Sequence, residues 1–225
     1  MSNENTDKKR LLIFASGTAD PKVGGTGARK LLEGMRSGEL EAIPAGLVSN
    51  HEFGSIYELA KEFGVPFFYS PKGRTAADYQ RFVRETKADY VACSGWLGKV
   101  EGLDPKTTFN IHPAYLPSRY GGRGMHGDHV HNAVWNDYIG DDDSQKPGFH
   151  GMTLHFMTED YDCPDYRIFT RKVYFLPTDA KMEDVKARVR ALEEKHQVPV
   201  TNLVVTGKIH WDGIKGHPVI GADIE

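Results

Sequence analysis

Apolar residues fall along this chain in short blocks that alternate between two periods. Leu11 to Ala15 is an unbroken apolar run that empties into a glycine-rich stretch, the pattern of a buried strand, a loop and then a helix. That helix is predicted from near Ala28, where Leu31, Leu32 and Met35 form one stripe, and Ala45 to Val48 reads as a second strand. Ile56, Leu59, Ala60 and Phe63 recur at helical spacing, Val65 to Tyr69 is strand-like, Tyr79, Phe82 and Val83 mark another amphipathic helix, and Tyr90 to Cys93 is a fourth strand. Strands separated by helices of this length need crossover connections, which predicts a mainly parallel sheet with ligands at the carboxyl ends of its strands.

Further on, Thr108 to Pro113 is extended, and Val130, Ala133 and Val134 predict a short helix with Asp128 as its N-cap. Met152, Leu154 and Phe156 alternate with Thr153 and His155 in a strand, so that His155 lies opposite the apolar face. A strand from Ile168 to Phe175, a helix carrying Val185, Val189 and Leu192, and a late hairpin element from Gly207 to Trp211 complete an α/β pattern.

Composition narrows the partners. The 225 residues suffice for one sizeable core, and no linker divides them, so 1–225 is read as a single domain with 1–10 as a flexible tail. With 28 Lys and Arg against 31 Asp and Glu, the formal charge is -3, which argues against nucleic acid. Cys93 and Cys163 stand apart, supporting neither a disulfide framework nor a four-cysteine zinc site, and no apolar stretch is long enough for a signal peptide or membrane span. The expectation is a cytoplasmic protein, with no membrane partner, as a monomer or homodimer. The segment from Gly140 to Gly148 reads as an exposed acidic loop.

The chemistry concentrates in FNIHPAYLP, Phe109 to Pro117. Side chains alternate across a strand, so Asn110 and His112 share one face while Phe109 and Ile111 point away, and Pro113 and Pro117 stiffen the path. A carboxamide N–H and an imidazole N–H side by side suit an oxyanion, and a carboxylate is then needed to manage the proton. Asp160, Asp162 and Asp165 crowd one later loop, and spacing from His155 favours Asp162. His126, His129, His131, His150 and His155 follow no recognised metal-ligand spacing, so no metal is expected, and Cys163 lacks the His/Asn partners of a thiol nucleophile.

Over nearly its whole length the chain resembles the folate-dependent formyltransferases, and among them the glycinamide ribonucleotide formyltransferases of purine synthesis. IFASG with GGTGARKLLEG, VACSGWLGKV, FNIHPAYLP, YGGRGMHGDHVHNAV and HGMTLHFMTEDYD carry the resemblance, in the family's order. It implies a Rossmann-like fold, a mostly parallel sheet flanked by helices with an antiparallel C-terminal strand. It implies 10-formyltetrahydrofolate as co-substrate and a small phosphorylated amine as acceptor. It implies Asn110, His112 and Asp162 as catalytic residues, with His155 behind them. The glycine loop, Gly24, Gly25, Thr26 and Gly27, would hold phosphate, and Glu193 would meet the acceptor's ribose or amine. Trp96, Leu97, Gly98 and Val100, with Met157, Thr158 and Glu159 of the loop Met157 to Tyr161, would line the folate pocket, although Trp96 equally suits a core.

Three departures stand out: an inserted stretch from Thr18 to Val23, the tail Cys163-Pro164-Asp165 where small residues are usual, and a longer acidic loop before a loosely matching C-terminal segment. They leave other acceptors open. A sugar-nucleotide N-formyltransferase and a formyl-folate hydrolase fit the same scaffold, and a catalytically silent folate- or nucleotide-binding regulator is the rival of a different class. A tRNA-formylating relative is disfavoured by the absence of a basic surplus or an extra C-terminal module.

Overall fold

A computed structural model describes residues 8–72, 74–160, 162, 167–177 and 179–222. β1 (Lys9–Phe14), β2 (Ala42–Ser49), β3 (Phe67–Tyr69), β4 (Tyr90–Ser94) and β5 (Thr108–His112) pair in parallel, β6 (Phe149–Phe156) runs antiparallel to β5, and β7 (Ile168–Phe175) antiparallel to β6. The seven strands lie in the order β3-β2-β1-β4-β5-β6-β7. The helices are α1 (Thr26–Ser37), α2 (Ser55–Phe63), α3 (Ala76–Thr86), α4 (Asp128–Ile139) and α5 (Met182–Val205).

Each face of the sheet closes over its own core. On one, Leu11, Ile13, Phe109, Ile111, Leu154 and Phe156 meet Leu31 and Leu32 of α1, Leu59 of α2, and Val198 and Val204 of α5. On the other, Leu12, Phe14, Val91 and Cys93 meet Tyr79 and Phe82 of α3. This two-sided burial is what makes the parallel strands nearly continuous apolar runs. Burying each large side chain contributes about 1.5–3 kcal/mol before entropy is counted. α1 and α5 touch closely, since a Cβ on Gly34 would stand 2.7 Å from Val198 Cγ1.

Four sequence expectations are corrected. The strand begins at Lys9, inside the stretch 1–10 read as a tail, because Arg10 is held: its backbone N–H donates to Asp89 Oδ2 at 2.8 Å and its Nε to the Thr86 carbonyl at 2.9 Å. α1 starts at Thr26, two residues before Ala28, behind Gly25 in the left-handed region (φ 78). Asp128 is the first residue of α4 and not its cap; Gly127 holds that place, and the Asp128 carboxylate pairs with Lys186 Nζ at 3.0 Å instead of turning back to the helix. The late hairpin reduces to a single bridge between His210 and Ile220, closing a loop that seats Trp211 against Phe156.

Candidate active site

β5 sets the geometry. It is flanked by β4 on one side and β6 on the other, which places Asn110 beside Cys93 and opposite His155. Asn110, His112 and His155 are all buried. The chain after β6 returns over them and delivers Asp162. Its Oδ1 accepts from Asn110 Nδ2 at 2.9 Å and lies 3.0 Å from His155 Nε2, while its Oδ2 lies 3.5 Å from His112 Nδ1. Three side chains from two strands therefore converge on one carboxylate.

Backbone contacts fix that carboxylate. Asp162 has φ 28, a left-handed conformation costly for a residue with a Cβ. Its carbonyl accepts from Gly122 N–H at 3.1 Å, and a Cβ on Gly121 would come within 2.2 Å of the same oxygen. Glycine at 121 is thus required for the loop after β5 to approach. Farther along FNIHPAYLP, Thr153 Oγ1 donates to the Ala114 carbonyl at 2.7 Å and accepts from Leu116 N–H at 3.0 Å, clasping the segment to β6.

The electrostatics follow from the geometry. Burial works against charge on both partners, but hydrogen bonds and charge from His112 and His155 outweigh it and hold Asp162 well below the usual carboxylate range. For His112, burial pulls the pKa down, while Asp162, the Tyr120 carbonyl and Glu193 together raise it above the ordinary value. His112 Nε2 lies 2.8 Å from the Tyr120 carbonyl, an oxygen that can only accept, so Nε2 carries hydrogen and donates. The result is an imidazole biased toward its charged form, facing a carboxylate and beside a carboxamide with a second N–H to give.

A cavity of about 290 Å³ opens next to Asn110. Its walls are Gly25, Thr26 and Gly27 at the start of α1; Ser94 at the end of β4 with Gly95, Trp96 and Leu97 after it; Gly127 before α4 with Asp128 and His131 on it; and Lys186, Arg190, Glu193 and Gln197 of α5. The first turn of α1 has no acidic residue, leaving its free N–H groups and dipole open to an anion. Glu193 is half-buried in the wall; burial pushes its carboxyl up to about 7, against the pull of His112. Of the glycine-loop residues expected here, Gly24 stands outside the cavity lining.

The inserted stretch folds on itself. Thr18 Oγ1 donates to the Asp20 and Val23 carbonyls at 3.0 and 2.6 Å, the Thr18 N–H donates to Ser55 Oγ at 3.1 Å, and the Thr18 carbonyl accepts from the Ser55 N–H at the start of α2.

The residues expected around folate separate into two places. Val100, Met157, Thr158 and Glu159 surround a second cavity of about 210 Å³ with Leu103 and Thr108. Trp96 and Leu97 line the first cavity instead, and Gly98 lines neither. The reason is Trp96, whose indole turns inward against Phe14, centroids 5.4 Å apart, and donates to Tyr79 Oη at 3.3 Å under the Arg74 guanidinium. Tyr161, Cys163, Pro164 and Asp165 lie outside the described residues.

Sequence reading missed Ser94, Tyr120 and Gln197. Tyr120 acts through its carbonyl, which no side-chain pattern reveals, and Gln197 reads as one polar residue on a polar helix. Among the described residues no group of three or more His, Cys, Asp or Glu is placed to hold a metal ion, and no helix is long and apolar enough to cross a membrane.

An α/β sheet that carries a buried Asn, two His and an Asp beside an anion-ready helix start defines a group-transfer site. Residues 9–201 match the formyl transferase family model, and the chain belongs to that family. It is 30% identical over 226 residues to a chloroplastic phosphoribosylglycinamide formyltransferase of Arabidopsis thaliana, covering 95% of this chain and 72% of that protein. The corresponding protein of Vigna unguiculata is 30% identical over 221 residues, 92% of this chain and 65% of the relative. Among solved structures, glycinamide ribonucleotide transformylase 1 from Symbiobacterium toebii shares the fold with a TM-score of 0.76 at 22% identity, covering 96% and 95% of the two chains. A formyltetrahydrofolate deformylase from Pseudomonas syringae shares it at TM-score 0.75 and 19% identity, over 97% of this chain and 67% of the other.

Proposed function

We propose that this protein transfers the formyl group of 10-formyltetrahydrofolate to the primary amine of glycinamide ribonucleotide, a step of purine biosynthesis. The observation that carries the reading is the convergence of Asn110, His112 and His155 on Asp162 beside a cavity bounded by the start of α1. The names of the two plant relatives support the acceptor and the transfer of a formyl group.

In this reading the acceptor's phosphate meets the N–H groups of Gly25 to Gly27, and its amine reaches the formyl carbon next to Asn110. Attack forms the new C–N bond and places negative charge on the formyl oxygen. Asn110, with one N–H committed to Asp162, gives the other to that oxygen, and cationic His112 adds positive potential. Asp162 keeps His112 charged and oriented, and passes the proton leaving the amine through water to the folate nitrogen as the old C–N bond breaks. Val100, Met157, Thr158 and Glu159 border the cavity suited to the pterin, while Trp96 and Leu97 line the first cavity. The chain's own residues supply these steps without a metal. We assign it to the cytoplasm, as a monomer or homodimer; the buried, unpaired Cys93 thiol suits a reducing compartment.

Mixing the protein with 10-formyltetrahydrofolate and glycinamide ribonucleotide, and following both products by mass, tests this directly. Formylated acceptor should accumulate in step with deformylated folate. Formate released at full rate without any amine would make the protein a hydrolase, and ligand binding without turnover would make it a regulator.

A further inference from the structure

At the floor of the first cavity three elements meet at unusually short range. Gln197 of α5 is 3% exposed, and its Nε2 donates to Ser94 Oγ at the end of β4 over 2.7 Å. Gly27 of α1 presses against both: a Cβ there would stand 2.1 Å from Ser94 Oγ and 2.9 Å from Gln197 Oε1. Gly27 is therefore needed for packing as well as for any anion contact. Among the described residues the bond to Ser94 is the only hydrogen bond the Gln197 side chain makes. An amide has a donating and an accepting end, and with the first given to Ser94 the second is left for the cavity that Gln197 lines together with Asn110 and Glu193.

We propose that Gln197 determines acceptor specificity: its Oε1 accepts a hydrogen bond from a neutral N–H or O–H donor of the acceptor molecule. Ser94 is the positioning residue that keeps the carbonyl end turned to the cavity. The charged groups of the same wall, Arg190, Glu193 and Glu194, are suited to charged parts of a ligand. An uncharged carboxamide, buried and oriented, suits a neutral donor and rejects an acceptor that lacks one, because its carbonyl would then be dehydrated with nothing in return. This inference rests on the acceptor occupying that cavity, as proposed above.

Steady-state kinetics on the wild type, Gln197→Met and Ser94→Ala test it. Gln197→Met keeps length and burial but removes the accepting oxygen, and should raise KM for glycinamide ribonucleotide about tenfold, the scale of one neutral hydrogen bond, while KM for 10-formyltetrahydrofolate stays within about twofold. Ser94→Ala should raise the same KM less, because the amide is present but free to turn. An unchanged acceptor KM in Gln197→Met, or a parallel rise for both substrates with a fall in melting temperature, overturns the proposal in favour of a packing role. Should the wild type form no formylated product, the reaction assigned above fails first. Calorimetric titration of glycinamide ribonucleotide into wild type and Gln197→Met then still reads the contact, and equal affinities, or no binding to either, overturn it.

Discussion

Asn110 and Asp162 are bound to each other, yet removing them should have different consequences. Asn110→Ala takes away an oxyanion donor that matters only near the transition state, so kcat should fall by about 10²–10³ while KM for the folate changes little. Single-turnover kinetics beside direct folate binding checks this, and equal turnover in parent and variant would remove Asn110 from the mechanism. Gly121→Ala is the subtler variant. Its methyl would press on the Asp162 carbonyl and on Leu116 Cδ2, 2.7 Å away, so activity should drop steeply although no proposed reacting group is altered. Wild-type activity in Gly121→Ala would show that the loop has room the structure does not give it. At this scale the Asn110/His112 face was readable from strand alternation alone. Asp162 was less so, because it arrives from a loop that doubles back over β5, and only its spacing from His155 and resemblance to a family favoured it over Asp160 and Asp165. Gln197 was hidden for another reason: on a helix with Lys186, Arg188, Arg190, Glu193 and Glu194, a glutamine looks like part of a solvated face.

The elements around the site carry their own pH dependence. His150 of β6 and His131 of α4 stack edge to face with centroids 5.9 Å apart, and burial pushes His131 down to about 4 and His150 to about 3 from 6.5. Between 6.5 and those values the unfolded chain binds the more protons, so stability is lost as pH falls through that window. His112 has the opposite sign: its raised pKa gives stability that is complete below 6.5 and lost as pH climbs through the folded value. Thermal melts from pH 7 to pH 5 should therefore show a falling Tm, and His150→Phe, set among Tyr120 and Tyr174, should flatten that slope. A slope unchanged in His150→Phe would assign the effect elsewhere. The inserted turn gives a second element-scale test. Thr18→Ala loses both bonds that close it, and KM for the acceptor should rise severalfold with the folate KM constant; no change would show that the turn is independent of the anion site. Element types were largely legible from period, but limits were not. α5 runs 24 residues straight through Pro199, a residue that ordinarily ends a helix; packing of Val198, Val200 and Val204 on the sheet overrides it. Asp128 looked like a cap until Lys186, far along the chain, was there to claim it.

For the molecule as a whole, strand and helix alternation announced a parallel sheet, while its order did not follow from any local pattern. Which strands sit side by side is decided by crossovers and by which helices share a face. Here α1 and α5 lie on the same face and wall the same cavity, although one starts at Thr26 and the other at Met182. While the chain is being synthesised, the strand that carries Asn110 and His112 can emerge and pair with β4 long before α5 exists. The anion-ready start of α1 is then open to water with nothing facing it, and Ser94 has no amide to hold. Such a nascent chain has half a pocket and no means of gripping a substrate, so catalytic competence arrives late, only after α5 has docked.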